Sequence, residues 1–254
     1  MLRLKIILFG IVIAGTANAA DISLESNSGE TAHRVSLFSG TDFSSLGSYV
    51  GFAGATLAPF GSLEKSGMRV GLFQAAGVYR YNTMLPDPVT GNDSPLTVKG
   101  KFISSDLLLG YGHVGENWNA KLYLGLNVQN QHIAPLDLGN PVVGTKAGVR
   151  VQGDVWISPT KETMLFALAS YSTAFRTYYT NAKFGYDVSN GRGIFFGPEF
   201  VAQGNERYDQ LRFGAHITGI KFNNALELGL SVGYVRETDA GLGIYGNVVL
   251  SRHF

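Results

Sequence analysis

The sequence contains no cysteine, so no disulfide can hold the fold, and stability must come from a packed core or a closed sheet. Charge is scarce at 15% of residues and nearly balanced, with 20 basic against 19 acidic side chains and no basic stripe. That balance gives no support for nucleic-acid binding. Proline is limited to 8 residues. No apolar run of helical spanning length follows Ala20, which excludes a bundle of membrane-spanning helices, since each needs about 20 apolar residues.

A single shorter apolar run lies at the N-terminus. Arg3 and Lys5 precede the apolar stretch from Ile6 to Gly15, and Ala17, Asn18 and Ala19 give the small-x-small pattern of a signal-peptidase site. Residues 1–19 are therefore expected to be a cleaved signal peptide, leaving residues 20–254 as one domain. Glycine (33), tyrosine (12) and phenylalanine (16) are plentiful, and 45% hydrophobic content argues against disorder. Such a composition suits strands that meet a membrane interface.

Hydrophobicity alternates with period two. Ala120, Leu122, Leu124, Leu126 and Val128 interleave with Asn119, Lys121, Tyr123, Gly125, Asn127 and Gln129. Ala147, Val149, Val151, Val155 and Ile157 interleave with Lys146, Arg150, Gln152, Asp154 and Trp156. Leu226, Leu228, Leu230, Val232 and Tyr234 interleave with Glu227, Gly229, Ser231 and Gly233. On a helix these apolar residues would circle the axis and define no face.

Weaker versions fill the chain near 31–40, 47–59, 67–82, 99–114, 118–132, 143–158, 163–178, 180–188, 193–203, 208–220, 225–237 and 242–254. The fold expected is all-β: an antiparallel transmembrane β-barrel of about 12 strands, with boundary error allowing 10–14. Short connections near 60–66, 115–118, 159–162 and 221–224 alternate with long ones at 83–98 and 131–142, as periplasmic turns alternate with external loops in outer-membrane barrels. The links at 179–181 and 188–193 fit this scheme poorly.

At the C-terminus Leu242, Ile244, Val248, Leu250 and Phe254 share one parity, interrupted by Arg252. A terminal aromatic on an amphipathic strand resembles the signal read by barrel-assembly machinery. A soluble barrel or sandwich also alternates, and sequence alone does not say which face is outside. Strand length, the small and polar character of the second face and Phe254 favour the membrane.

From Val143 onward the chain resembles the cellulose biosynthesis protein BcsS family of outer-membrane barrels. The matching residues are Gly144-Thr145-Lys146, Gln152-Gly153, Ser170 to Phe175, Gly197-Pro198-Glu199, Gly204-Asn205 and Tyr208. They continue through Arg212, Gly214, His216, Thr218, Gly219, Gly233-Tyr234 and Tyr245-Gly246, while Tyr49 to Gly54 upstream is less specific. The resemblance implies a role in making or exporting cellulose and transfers no catalytic residue.

Lys146, Arg150, Gln152, Asp154, Glu199, Arg212 and His216 take the inward parity and form the candidate binding or gating cluster, with Glu227 on the same face. Opposite charges there are expected to pair, and Lys146, Arg150, Asp154, Glu199, Arg212 and His216 to meet in one cluster that constricts the pore. Trp156, Tyr171 and Tyr178 are read first as interface anchors and second as sugar-stacking residues. A lipid-modifying hydrolase with His216 as base, near Arg212, Thr218 and Glu199, is a second reading, although no serine is singled out as nucleophile. A small porin or structural barrel is a third.

Histidines at 33, 113, 132, 216 and 253 are scattered, and no metal-binding motif or cofactor signature is present. Thr90-Gly91-Asn92-Asp93 reads as a turn rather than a calcium loop. The partners expected are outer-membrane lipid, barrel-assembly machinery during biogenesis, and cellulose or components of its secretion system.

Overall fold

The alternating stretches form strands in the computed structural model, which describes residues 32–86, 93–222, 226–238 and 240–254. The expected signal peptide and Thr90 to Asn92 lie outside the described residues. In chain order the strands are β1 (Val35–Ser44), β2 (Ser48–Leu57), β3 (Gly67–Pro86), β4 (Asp93–Val114), β5 (Trp118–Ala134) and β6 (Gly144–Thr160). They continue as β7 (Thr163–Ser172), β8 (Thr177–Asp187), β9 (Phe195–Asn205), β10 (Tyr208–Phe222), β11 (Leu226–Glu237) and β12 (Gly241–His253). Each strand pairs antiparallel with its sequence neighbours, and β1 pairs with β12, so the sheet closes as a barrel of twelve strands. Closure removes the free edges that would otherwise template aggregation.

Parity decides which side chains face out. Leu122, Leu124 and Leu126 are 64%, 58% and 62% exposed, while Asn119, Tyr123, Asn127 and Gln129 on the same strand are buried. Val149, Val151 and Leu230 are also exposed, and Leu228 is half-buried on the same outward face. The barrel thus carries a leucine- and valine-rich outer band around a polar and aromatic interior, the reverse of a soluble barrel. Arg252 faces out with this band and stacks its guanidinium 4.6 Å from the Phe254 ring centroid, which covers part of the aliphatic stem.

Two departures from simple alternation matter. In β10 the register shifts between Ile217 and Ile220, where Gly219 adopts φ +91. A side chain there would meet the Gly193 carbonyl at 2.1 Å, so glycine is needed. Beyond this bulge Ile220 keeps the outward face and Lys221 lies inward opposite Glu227. On β4, Gly100 sits beneath the Tyr79 ring of β3, whose Cζ would lie 2.0 Å from an added Cβ.

The long external loop expected at 83–98 is instead a continuation of β3 and β4, paired from Asn82 opposite Thr97 to Pro86 opposite Asp93. Pro95 is tolerated because β5 ends at Ala134, opposite Lys99, and leaves the β4 edge above it without a ladder to interrupt. The break expected at 179–181 lies earlier. A single 3₁₀ turn, Ala174–Arg176, joins β7 to β8, with Phe175 and Arg176 at φ 52 and 49.

Both ends of the barrel are covered from within. At the end holding the chain termini, Ala58, Ser62 and Leu63 of the β2–β3 connection are buried. Arg69 points inward there and donates to the Leu63 carbonyl at 3.1 Å and the Met68 carbonyl at 3.1 Å. At the far end Asp137, Asn140 and Val142 of the β5–β6 connection are buried, as is Phe175. Tyr81 of β3 holds that connection, donating to Asp137 at 3.3 Å and accepting from Asn140 at 3.2 Å.

Candidate functional site in the barrel interior

Seven side chains of inward parity were expected to line the lumen, and the strands place all seven on the inner face. They do not meet as one cluster, and that expectation is corrected. Each charge finds a nearer partner that parity alone does not reveal, because side chains cross the lumen by depth and reach as well as by face.

Arg150 of β6 lies 3.0 Å from Asp106 of β4, spanning β5. Asn127 of β5 fills the intervening position, donating to Asp106 Oδ1 and to Ser104 Oγ at 3.0 Å. Its oxygen accepts from Gln129 at 2.7 Å and Ser172 at 2.7 Å. Gln129 also donates to Thr177 at 3.0 Å, which ties β5 to β8 across the interior. Lower on the same wall Asp154 pairs with Lys121 at 3.5 Å on the adjacent strand. Gln152 is half-buried opposite Tyr123 and Ser170.

The second group is built from β1 and β8 to β12. Arg212 of β10 forms a bidentate pair with Asp42 of β1, at 2.6 and 3.0 Å, past both β11 and β12. Its guanidinium lies 4.9 Å from the Tyr245 ring centroid, a cation–π contact. Tyr245 in turn donates to Glu199 at 3.3 Å. Glu199 also accepts from Asn181 at 2.8 Å and pairs with Lys183, directly opposite it, at 3.3 Å. Arg212 and Glu199 are therefore joined through Tyr245 rather than to each other. Gln203, Gln210 and Glu237 continue this network on β9 to β11.

His216 lies diagonally across from Glu199 on the neighbouring strand but bonds elsewhere through its ring nitrogens. Its Nε2 lies 3.0 Å from the Phe184 carbonyl of β8, which only accepts, so Nε2 carries the hydrogen. Nδ1 then accepts from Thr218 Oγ1 at 3.0 Å. The reach over β9 depends on Gly197, directly opposite His216, where any side chain would strike the Phe184 carbonyl.

Lys146 has inward parity but lies at the far mouth. It pairs with Glu206 at 3.6 Å and lies 5.1 Å from the Phe175 ring centroid. Trp156, read first as an interface anchor, is a correction: its even parity buries it inside, against Phe166 and Phe195, with Nε1 donating to Ser158 at 3.1 Å. Tyr171 and Tyr178 face outward opposite each other at the far end, and Tyr178 donates to Asp209 at 2.6 Å. Among the described residues no group of histidines and carboxylates is placed to hold a metal ion.

Sequence reasoning missed Asp42, Asp106, Lys121 and Lys183 as site residues. Their signal was present in parity, since Asp42 alternates with Phe43 and Asp106 with Leu107. Their partners, however, lie on strands distant in sequence.

A solved structure titled TodX deltaS2S3 mutant monoaromatic hydrocarbon channel is similar with TM-score 0.53 at 9% identity, over 89% of this chain and 91% of that one. At that identity the likeness shows the fold alone. A KdgM porin aligns with TM-score 0.45 at 8% identity, over 86% and 99% of the two chains. The translocator domain of autotransporter NalP from Neisseria meningitidis aligns with TM-score 0.46 at 13% identity, over 89% and 90%. No curated protein matches the sequence. The family model for cellulose biosynthesis protein BcsS matches residues 36–254, from the first strand to the last residue, and the chain belongs to that family.

Proposed function

We propose that the protein resides in the bacterial outer membrane with its terminal end toward the periplasm and serves cellulose secretion as a docking site or surface anchor, without catalysis. Membrane residence is supported by the outward band of leucine and valine, which matches what lipid demands of a barrel wall. The far end, where β3 and β4 project beyond their neighbours, then faces outside. Phe254 at the terminal end suits recognition by assembly machinery.

The filled interior carries the choice of docking or anchoring over conduction. Arg150, Arg212 and His216 are 1%, 4% and 1% exposed, so water has almost no contact with these central side chains. A conduit for a glucan chain would leave such side chains wet. The same burial supports a non-enzymatic role, since both ring nitrogens of His216 are engaged by Thr218 and by the Phe184 carbonyl.

In planar bilayers the purified protein is expected to show no stepwise conductance. Deleting the gene is expected to alter the amount, attachment or order of extracellular cellulose while leaving general permeability intact. Steady open-channel currents would overturn the docking reading. Unchanged cellulose in the deletion strain would overturn the link to secretion.

A further inference from the structure

Four basic side chains share the outer face of three adjacent strands just past the apolar band. Arg80 of β3 lies directly opposite Lys99 of β4, and Lys101 of β4 lies directly opposite His132 of β5. All four are exposed. Among the described residues no carboxylate forms an ion pair with Arg80, Lys99 or Lys101. Like charges opposed across a strand pair cost stability, so the cluster does not serve the sheet.

Its height along the wall is informative. Twelve positions separate Met68, near the terminal end of β3, from Arg80. At about 3.3 Å per residue and a tilt of about 40°, that is a rise of about 30 Å, against an apolar band of about 25 Å. Arg80 therefore stands where lipid hydrocarbon gives way to headgroups, with Lys99 directly opposite it and Lys101, opposite His132, two positions nearer the apolar band. Below on the same outward face come Val78, Ile103 and Val128, then the directly opposed Gln74 and Ser105, then Leu107 and Leu126. The surrounding outward face is polar, with Thr97 donating to Asn82 at 2.7 Å and Asn130 to Thr145 at 2.6 Å. On β7 and β8 the outward face near the far rim carries Tyr171 and Tyr178 instead, while Arg236 is exposed near the far end of β11.

Arg80 is also held in place. Gly47, at φ +102 in the β1–β2 turn, lets the arginine stem lie against it, and an added Cβ would fall 2.3 Å from Arg80 Nε. A guanidinium positioned in advance loses less rotamer freedom when it binds, and it presents paired donors suited to phosphate.

We infer that this face of β3 to β5 binds the phosphate groups of an outer-leaflet glycolipid, whose acyl chains lie on the apolar band beneath. The inference rests on the outer-membrane reading and adds the headgroup chemistry and the residues that meet it. Charge complementarity selects an anionic headgroup, and continuity with the apolar band selects a lipid over a soluble anion.

The test uses the folded full-length protein in phospholipid nanodiscs, with bisphosphorylated lipid A and chemically dephosphorylated lipid A as probes. Wild type is expected to bind the bisphosphorylated form at least about tenfold more tightly, and an R80S/K99S/K101S variant to lose that preference. Heat-modifiable gel mobility and β-sheet circular dichroism verify that the variant is folded. Equal binding of both lipids by wild type, or an unchanged preference in the variant, overturns the inference. Binding of a soluble anionic polysaccharide with no preference between the lipids also overturns it. Failure of wild type to insert into phospholipid vesicles would instead remove the outer-membrane reading beneath it.

Discussion

Arg212 with Asp42 and Lys146 with Glu206 are both ion pairs on the inward face, yet they occupy opposite extremes of environment. The first has side chains 4% and 6% exposed and bidentate geometry, whereas in the second Lys146 is 45% exposed at the far mouth. Depth along a strand, rather than face, sets how much an ion pair weighs in this barrel. A buried pair fixes geometry because losing one partner strands a charge away from water, while a rim pair is solvated either way.

The largest effect should come from Asp42→Ala, which leaves Arg212 uncompensated and is expected to cost about 3–5 kcal/mol in denaturant unfolding of the refolded protein. Replacing both partners with apolar residues of similar volume, as D42L/R212M, should recover most of that loss, since burying a charge pair gains little over good packing. A double variant as unstable as the single one would show that the pair matters for more than charge compensation. On the outer wall Leu124→Arg is expected to cost about 2–4 kcal/mol, read as a lower unfolding midpoint in lipid vesicles. If it cost nothing, Leu124 would not lie in hydrocarbon.

At the rim Glu206→Gln should shift stability by less than about 1 kcal/mol and become undetectable in high salt. A loss matching that of Asp42→Ala would erase the contrast between depth and rim. The smallest effect concerns Glu64, in the connection between β2 and β3. Burial pushes its carboxyl up, but bonds to its own backbone, to His33 and to Ser62 outweigh this and hold it below the ordinary value. Its contribution is therefore fully present above the unfolded carboxyl pKa, about 4.3, and lost as pH falls through the folded value. Wild type and Glu64→Gln should differ by less than about 1 kcal/mol at neutral pH and converge in acid.

The same contrast marks how far the sequence could be read. Strand number and facing follow from local alternation, so the outward positions of Leu122, Leu124 and Leu126 were legible, as were the inward positions of Arg150 and Arg212. Pairing across the lumen was not. Arg212 meets a carboxylate 170 residues away, and no local pattern encodes that closure brings β1 within its reach. Trp156 was misplaced because its aromatic identity was weighted above its parity with Asp154. The β3–β4 extension was misread because Pro86 and Pro95 signal a loop, although both are admissible where the neighbouring strands have ended. The β7–β8 turn was set too late because Phe175 and Arg176 adopt left-handed backbone angles that residue type does not advertise.

The seam between β1 and β12 has a kinetic consequence. Arg34 and Val35 donate to the Phe254 carbonyl at 2.6 and 3.0 Å, and Phe254 donates back to Val35 at 2.8 Å, so the two ends of the described chain meet there. Contacts so distant in sequence carry the greatest loop-closure entropy and are expected to form late. Until they do, Asp42 is remote from Arg212, and the guanidinium remains hydrated. The buried pair then contributes after the rate-limiting step, so Asp42→Ala should accelerate unfolding and leave the refolding rate almost unchanged. Slowed refolding in stopped-dilution kinetics would place closure of the seam earlier than this order allows.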